Sequence, residues 1–264
     1  MPLSFEKVLI TGGYGFIGSA LVRKLLIETK LKILNIDKIG YASNPKSVDS
    51  QIENNKENFR ERYSFSKIDL SNIKELKNAI FEFKPDLVMH LAAETHVDQS
   101  IINPNKFITS NILGTFNLLE NVNEYISNLS IKKKKIFKFI HVSTDEVFGS
   151  LENSSEKFSE VSPYKPNSPY SASKASSDHL VRAWIKTYKF PAIITNCSNN
   201  FGPWQFSEKF IPLIILKCLN KESIPIYGNG ANIRDWLYVE DHINALLKCA
   251  YFGKVGSSYC IGGN

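Results

Sequence analysis

The stretch Lys7–Gly18, KVLITGGYGFIG, decides the fold. It opens on a short apolar run, Lys7–Thr11, of the kind a buried strand needs. Glycines then fall at 13, 15 and 18 (G-x-G-x-x-G) and equally at 12, 15 and 18 (G-x-x-G-x-x-G). Behind them Ile17, Leu21, Leu25 and Leu26 recur with helical spacing, which predicts a helix over Phe16–Thr29. A strand, a glycine turn and a helix in that order form a phosphate-binding turn. The turn is tight, the backbone must approach a pyrophosphate, and the helix must pack hard on the sheet. The N–H groups at the helix start then bind phosphate. Gly12, Gly15, Phe16, Ile17 and Gly18 are therefore expected to hold a dinucleotide. Asp37 ends the next strand, Lys32–Asp37, 19 residues after Gly18. A carboxylate there accepts from the adenosine ribose hydroxyls and repels a 2′-phosphate, so the expected cofactor is NAD rather than NADP. Lys38 beside it is expected in the same pocket and is the one feature that weakens this preference.

Outward from this turn, short strand-like runs alternate with amphipathic stretches, the rhythm of parallel βαβ units. Strands are expected at Tyr63–Ile68, Leu87–Leu91, Lys138–Ser143 and Ala192–Cys197, and helices at Ile73–Phe83, Asn105–Asn123 and Tyr170–Tyr188. Lys38 to Arg62 reads as loop with some helix. Past residue 200 the segments shorten and Gly-Pro, Pro225 and Gly228-Asn229-Gly230 punctuate the chain. Ile233–Tyr238 and Val239–Ala250 then read as a strand and a helix. The expected fold is an α/β Rossmann-type doubly wound parallel sheet with a small C-terminal substrate-binding region. Residues 1–200 would form the dinucleotide domain, joined again by 237–262, and 201–236 the substrate region.

At 264 residues, with 43% hydrophobic and 22% charged residues, the composition fits a packed globule. The N-terminus lacks the pattern of a secretion signal, and no run approaches the roughly 18 apolar residues that span a bilayer, so a cytoplasmic protein is expected. Cys197, Cys218, Cys249 and Cys260 include no C-x-x-C pair, and the histidines His90, His96, His141, His179 and His242 are scattered, so free thiols and no metal site are expected. Much of the net charge of +6 sits in Lys132–Lys135, read as a solvated loop end before a strand. No basic stripe with interleaved aromatics points to nucleic acid. Trp184, Trp204 and Trp236 read as packing residues.

Two clusters carry chemistry. Tyr170 and Lys174 form a Y-x-x-x-K pair on one helix face. A free phenol titrates near pH 10, and a neighbouring ammonium with a positive nicotinamide would favour the phenolate. Lys174 also suits the nicotinamide ribose. Ser143-Thr144-Asp145-Glu146 follows the fifth strand at the edge where ligands bind. Plain carbonyl reduction needs a hydroxyl there and no acid pair. Two carboxyls with different environments can divide acid and base roles, though Asp and Glu after Ser-Thr are also ordinary helix-cap residues. Asp69, after the third strand, reads equally as an adenine contact and as a helix-start carboxylate. Leu91-Ala92-Ala93 leave room for a dinucleotide to pass.

With these residues assembled, the chain closely resembles the dTDP-glucose 4,6-dehydratases of the extended short-chain dehydrogenase/reductase family. The carriers are TGGYGFIG (11–18), HLAAETHVDQS (90–100), STDEVFG (143–149), SPYSASKASSDHLVRAW (168–184), TNCSNNFGP (195–203), IPIYGNG (224–230) and IRDWLYVEDH (233–242). The resemblance implies an NAD-dependent hydro-lyase that removes water across C5–C6 of a nucleotide-activated hexose. Tyr170 would take the C4 hydroxyl proton, Glu146 the C5 proton, and Asp145 would protonate the leaving C6 hydroxyl. Thr144 would hold the C4 oxygen. Thr95, where many relatives carry serine, and Asn199 would contact the sugar. Lys209, Phe210, Pro225, Ile226, Tyr227 and Arg234 would grip the nucleotide. Leu70, Ser110 and Asn200 join the cofactor set. Thymidine is implied by the resemblance alone; the residues leave uridine open. A homodimer is implied through the helices from Asn105 and Tyr170. Relatives continue past the motif at Cys260–Asn264, so a C-terminally truncated chain is expected. The competing readings are a UDP-hexose 4-epimerase, with no work for Asp145 and Glu146, and a non-catalytic NAD-binding protein.

Overall fold

The computed structural model describes residues 5–55, 59–151, 156–226 and 229–263. Seven parallel strands form the main sheet: β1 (Lys7–Thr11), β2 (Lys32–Asp37), β3 (Tyr63–Lys67), β4 (Leu87–His90), β5 (Lys138–Thr144), β6 (Ala192–Cys197) and, after a two-strand pair, β9 (Ser258–Ile261). Their order is β3-β2-β1-β4-β5-β6-β9. The direction of strand addition reverses between β1 and β4, which opens a crevice at the strands' C-terminal ends. The separate pair is β7 (Asn199–Phe201) with β8 (Trp236–Tyr238), also parallel.

Strand side chains alternate between faces, and each face carries its own core. Val8, Ile10, Ile33, Met89 and Ile140 pack against α1 (Phe16–Glu28), α2 (Lys46–Asn54) and the last helix, α10 (Val239–Phe252). Leu9, Leu34, Val88, Phe139 and Ile194 pack against α3 (Ile73–Phe83), α6 (Gly114–Ser127) and α8 (Pro169–Tyr188). Each fully buried aliphatic side chain contributes about 1.5–3 kcal/mol, so two dry faces fix the sheet firmly. Local signals set the helix ends. Asn72 caps α3, which stops at Lys84 in the left-handed region (φ 57°) because Pro85 follows. Ser168 and Ser171 form a reciprocal cap on α8, with Pro169 in its first turn.

Two expectations need correction. The helix over Asn105–Asn123 is broken into α4 (Val97–Ile102), α5 (Pro104–Phe107), a π-helical turn at Ile108–Leu113, and α6. Apolar periodicity cannot register a π turn, because the wider loop adds a residue without changing composition. Lys132–Lys135 belong to a helix, α7 (Ile131–Ile136), not a loop. Ser130 accepts from the Lys133 amide, and the lysines fall where the helix dipole favours positive charge. Past residue 200, α9 (Phe210–Leu219) is apolar yet has no buried residue. Among the described residues no helix is long and apolar enough to cross a membrane.

Candidate active site

The turn after β1 can be built only from glycine. Gly12 sits at φ +76°, and a Cβ there would lie 2.7 Å from the Ala92 backbone. A Cβ on Gly18 would run into the Gly12 carbonyl oxygen. Gly15 precedes α1 and offers no side chain to cap it, so the first-turn N–H groups are free for a ligand's phosphate. Asp37 is buried and held by the Tyr14 amide (3.0 Å), the Ile39 amide (2.7 Å) and the Ser43 hydroxyl (3.0 Å). Lys38 Nζ lies 2.6 Å from a Glu94 oxygen and donates to Ser110 Oγ at 2.8 Å. Its charge is therefore already paired, which removes the objection it raised to NAD. Asp69 lines the cleft and accepts from the Ser71 amide at 2.9 Å, while the cap of the helix that follows is Asn72. Burial raises the Asp69 pKa, but the Ser71 bonds and the Lys38 charge outweigh this and hold it low.

One cleft of about 330 Å³ joins these groups to the chemical end. Gly12, Gly15, Phe16, Ile17, Gly18, Asp37, Lys38, Asp69, Leu70, Leu91, Ala92, Ala93, Ser110 and Asn200 all line it, as do Tyr170 and Lys174. The donor set, the glycine cradle and the small residues along the floor fit a dinucleotide.

At the chemical end Thr144, Glu146, Tyr170 and Lys174 line the same cleft. Asp145 and Glu146 start a short 3₁₀ turn whose cap is Thr144, with Thr144 Oγ1 accepting from the Glu146 amide at 3.2 Å. The cap is thus Thr144 rather than either acid, and Asp145 lies outside the cleft lining. Burial raises the pKa of both acids. Beyond burial their surroundings differ. Asp235 adds negative charge beside Asp145. Glu146 feels Asp145 but also the cations Lys209 and Arg234. The Thr144 hydroxyl also donates to Asp145 Oδ1 at 3.2 Å, which works against the burial there. Tyr170 is buried and its pKa stands well above 10, through burial first, then Glu146 and Cys197, with the Thr144 hydroxyl working the other way. The expected help from Lys174 does not lead here. Burial lowers the Lys174 pKa, and its Nζ donates to the Val142 carbonyl at 3.0 Å.

Of the expected substrate contacts, Thr95, Asn199 and Lys209 line the cleft. Lys209 Nζ donates to the Thr95 carbonyl at 3.2 Å. Asn200 is oriented by His242, whose Nδ1 lies 2.8 Å from Asn200 Oδ1. Burial lowers the His242 pKa to about 4, so the ring is neutral and donates through Nδ1–H. Phe210, Pro225, Ile226 and Arg234 are exposed and stand outside the cleft lining. Phe210 stacks on Trp236, and the Arg234 charge reaches Glu146. Tyr227 lies outside the described residues. Sequence reasoning missed Asn111, which sits in the π turn. Its Oδ1 accepts from the Glu94 amide (2.8 Å), and its Nδ2 donates to the Glu94 carbonyl (3.0 Å) and Ser173 Oγ (2.9 Å). His96, which the sequence places near the cleft, lines it; sequence reasoning also missed Glu94, Cys197, Phe206 and Glu208 on the cleft wall. A π turn can be read only from coordinates; Cys197 ends a strand that reads as core, and Glu94, Phe206 and Glu208 lie in loops without periodicity.

The family model described as GDP-mannose 4,6 dehydratase matches residues 9–262. A dTDP-glucose 4,6-dehydratase from Neisseria meningitidis serogroup B (strain ATCC BAA-335 / MC58) is 50% identical over 259 residues, covering 98% of this chain and 71% of that protein. The crystal structure of a double mutant of DesIV, a dTDP-glucose 4,6-dehydratase from Streptomyces venezuelae with NAD bound, superposes with a TM-score of 0.87 at 35% identity, over 97% of this chain and 76% of that one. A UDP-glucose 4-epimerase from Thermus thermophilus in complex with NAD is more distant, with a TM-score of 0.80 and 27% identity over 97% of this chain and 77% of that one.

Proposed function

The chain belongs to the GDP-mannose 4,6 dehydratase family, and from that premise we propose that it binds NAD and dehydrates dTDP-glucose to dTDP-4-keto-6-deoxyglucose. The reaction is a hydro-lyase reaction without net redox change. The observation that carries it is the pair of shielded acids, Asp145 and Glu146, set on the turn after β5 in the electrostatic reach of Tyr170. An epimerase or a simple reductase has no use for the pair.

Gly12, Gly15, Phe16, Ile17, Gly18, Asp37, Asp69 and the Lys174 ammonium would hold NAD. When bound, NAD supplies the acceptor for the C4 hydride and its return to C6. Tyr170 takes the proton from the C4 hydroxyl, and Thr144 holds the C4 oxygen. The phenol starts neutral, so the base form needs the positive charge that the bound cofactor ring would bring. With a ketone at C4, the C5 proton becomes acidic and Glu146 removes it. Asp145 gives a proton to the C6 hydroxyl as water leaves, and a proton goes back to C5 as the hydride is returned to C6. Thr95 and Asn199 contact the sugar. Lys209, Phe210, Pro225, Ile226, Tyr227 and Arg234 flank the nucleotide, and the Arg234 fork suits a diphosphate. Residues 1–200 with 237–262 serve as the cofactor domain and 201–236 as the substrate region; the place of β9 beside β6 in the sheet supports this division.

We assign a homodimer to the enzyme. Leu113, Phe116 and Tyr188 expose apolar surface at α6 and α8, and Phe116, Trp184 and Tyr188 form a continuous aromatic strip across them. Its four free cysteines suit a reducing, cytoplasmic setting.

The test is to incubate the 264-residue chain with dTDP-glucose and NAD, add strong base, and read the absorbance of a 4-keto sugar. A lasting keto signal is expected. A galactose product without that signal would assign an epimerase, and unchanged sugar on a protein that binds NAD would assign a non-catalytic binder. A parallel run with UDP-glucose reads the base preference.

A further inference from the structure

Asp178 lies on α8 four residues beyond Lys174 and eight beyond Tyr170, so the three side chains share one helix face. It is fully buried. Its Oδ2 accepts from Ser143 Oγ at 2.9 Å, from the Tyr164 hydroxyl at 2.7 Å and from Asn196 Nδ2 at 3.1 Å. Its Oδ1 lies 3.0 Å from His141 Nε2. These partners come from β5, from the loop before α8 and from β6. All four can donate, so they suit an ionised carboxylate. Burial raises the Asp178 pKa, but the bonds from His141 and Tyr164 and the charge of Lys174 bring it below the usual range.

Two of the four bonds lead to the acid pair. Ser143 immediately precedes Thr144-Asp145-Glu146, and Asn196 Nδ2 also donates to the Thr144 carbonyl at 3.2 Å. A buried charge costs several kcal/mol unless it is well partnered, so holding β5, β6 and α8 together by packing alone would be simpler. The carboxylate instead gives a directional joint at the one place where the acids must face the phenol.

We propose that Asp178 is a positioning residue that clamps the acid-bearing turn after β5 to the helix carrying Tyr170 and Lys174. The proposal rests on the reading that Asp145, Glu146 and Tyr170 perform the chemistry. Asp178 touches neither the cleft nor the reacting groups; it acts through Ser143 and Asn196.

Two variants test it. Asp178→Asn can keep one carbonyl oxygen for the three donors at Oδ2. Its amide then faces His141 Nε2, which accepts once the ring proton moves to Nδ1, an atom with no partner of its own. This variant is expected to fold. Ser143→Ala removes one tether and leaves the charge. In both, amide hydrogen exchange at residues 144–146 should rise about tenfold or more while exchange in α8 and β1 stays unchanged. With dTDP-glucose, kcat should fall about tenfold while KM stays within about threefold, as expected when binding survives and alignment is lost. Wild-type exchange at 144–146 together with wild-type kcat in both variants, with only Tm lowered, would overturn the proposal. If the wild-type chain leaves dTDP-glucose unchanged, the functional reading fails on its own. The exchange at 144–146 then decides the clamp: a rise supports it and no change overturns it.

Discussion

Asp145 and Glu146 are sequence neighbours that meet different charges. The charges of Lys209 and Arg234 act on Glu146, and that of Asp235 on Asp145; we propose that Glu146 is the base at C5. Glu146→Gln should therefore abolish exchange of the C5 hydrogen with solvent deuterium, read by mass spectrometry of the product and recovered substrate. Normal C5 exchange in that variant would remove Glu146 from the mechanism. The same burial has a stability consequence. Both acids have folded pKa values raised above their unfolded values, chiefly by desolvation. Their contribution to stability is favourable below the ordinary carboxylate range and is lost as pH rises through the raised folded values. Asp145→Asn and Glu146→Gln should thus raise Tm at pH 8, and the gain should vanish on acidification below the ordinary carboxylate pKa. A Tm gain that persists unchanged in acid would show that burial of charge is not its source. The sequence made the acid pair visible because STDE follows a strand. It held no sign of Asp178 as a hub, since Ser143, Tyr164 and Asn196 are brought to it only by folding.

At the scale of the element, the β1–α1 turn is the part most completely written in the sequence. Each glycine there answers a contact: Gly12 the Ala92 backbone, Gly18 the Gly12 carbonyl. Gly12→Ala should cost about 2 kcal/mol or more in urea unfolding and weaken NAD binding at least about tenfold by calorimetry, because an L-residue at positive φ is strained and its Cβ meets backbone that cannot move. Wild-type affinity in a folded Gly12→Ala protein would mean that the turn does not hold the pyrophosphate. The elements before α6 were far less legible. A helix over 105–123 is what apolar spacing suggests, but the π turn at Ile108–Leu113 shifts the register so that Asn111 turns inward to Glu94 and Ser173. Lys132–Lys135 look like a loop by charge and form a helix because Ser130 caps it and Lys133, Lys134 and Lys135 sit in its last turn.

Across the whole molecule, strand order places every expected cofactor residue on one cleft, and a parallel sheet that reverses between β1 and β4 leaves little choice in this. The substrate side is less settled by sequence, because Phe210, Pro225, Ile226 and Arg234 stand outside the cleft lining. The apolar strip of Phe116, Trp184 and Tyr188 is the molecule's proposed self-contact. Phe116→Glu should shift the protein from dimer to monomer by sedimentation velocity while leaving NAD binding within about threefold, since the strip lies outside the cleft. An unchanged dimer would place the interface elsewhere. The central claim is that one hydride leaves C4 and comes back at C6 of the same sugar while the acids remove water between. Its most direct test is to give the chain dTDP-glucose deuterated at C4 in ordinary water and locate the label by NMR. Deuterium is expected at C6 of a 4-keto-6-deoxy product; deuterium retained at C4 of a galactose product, or lost to solvent, would overturn this hydride path.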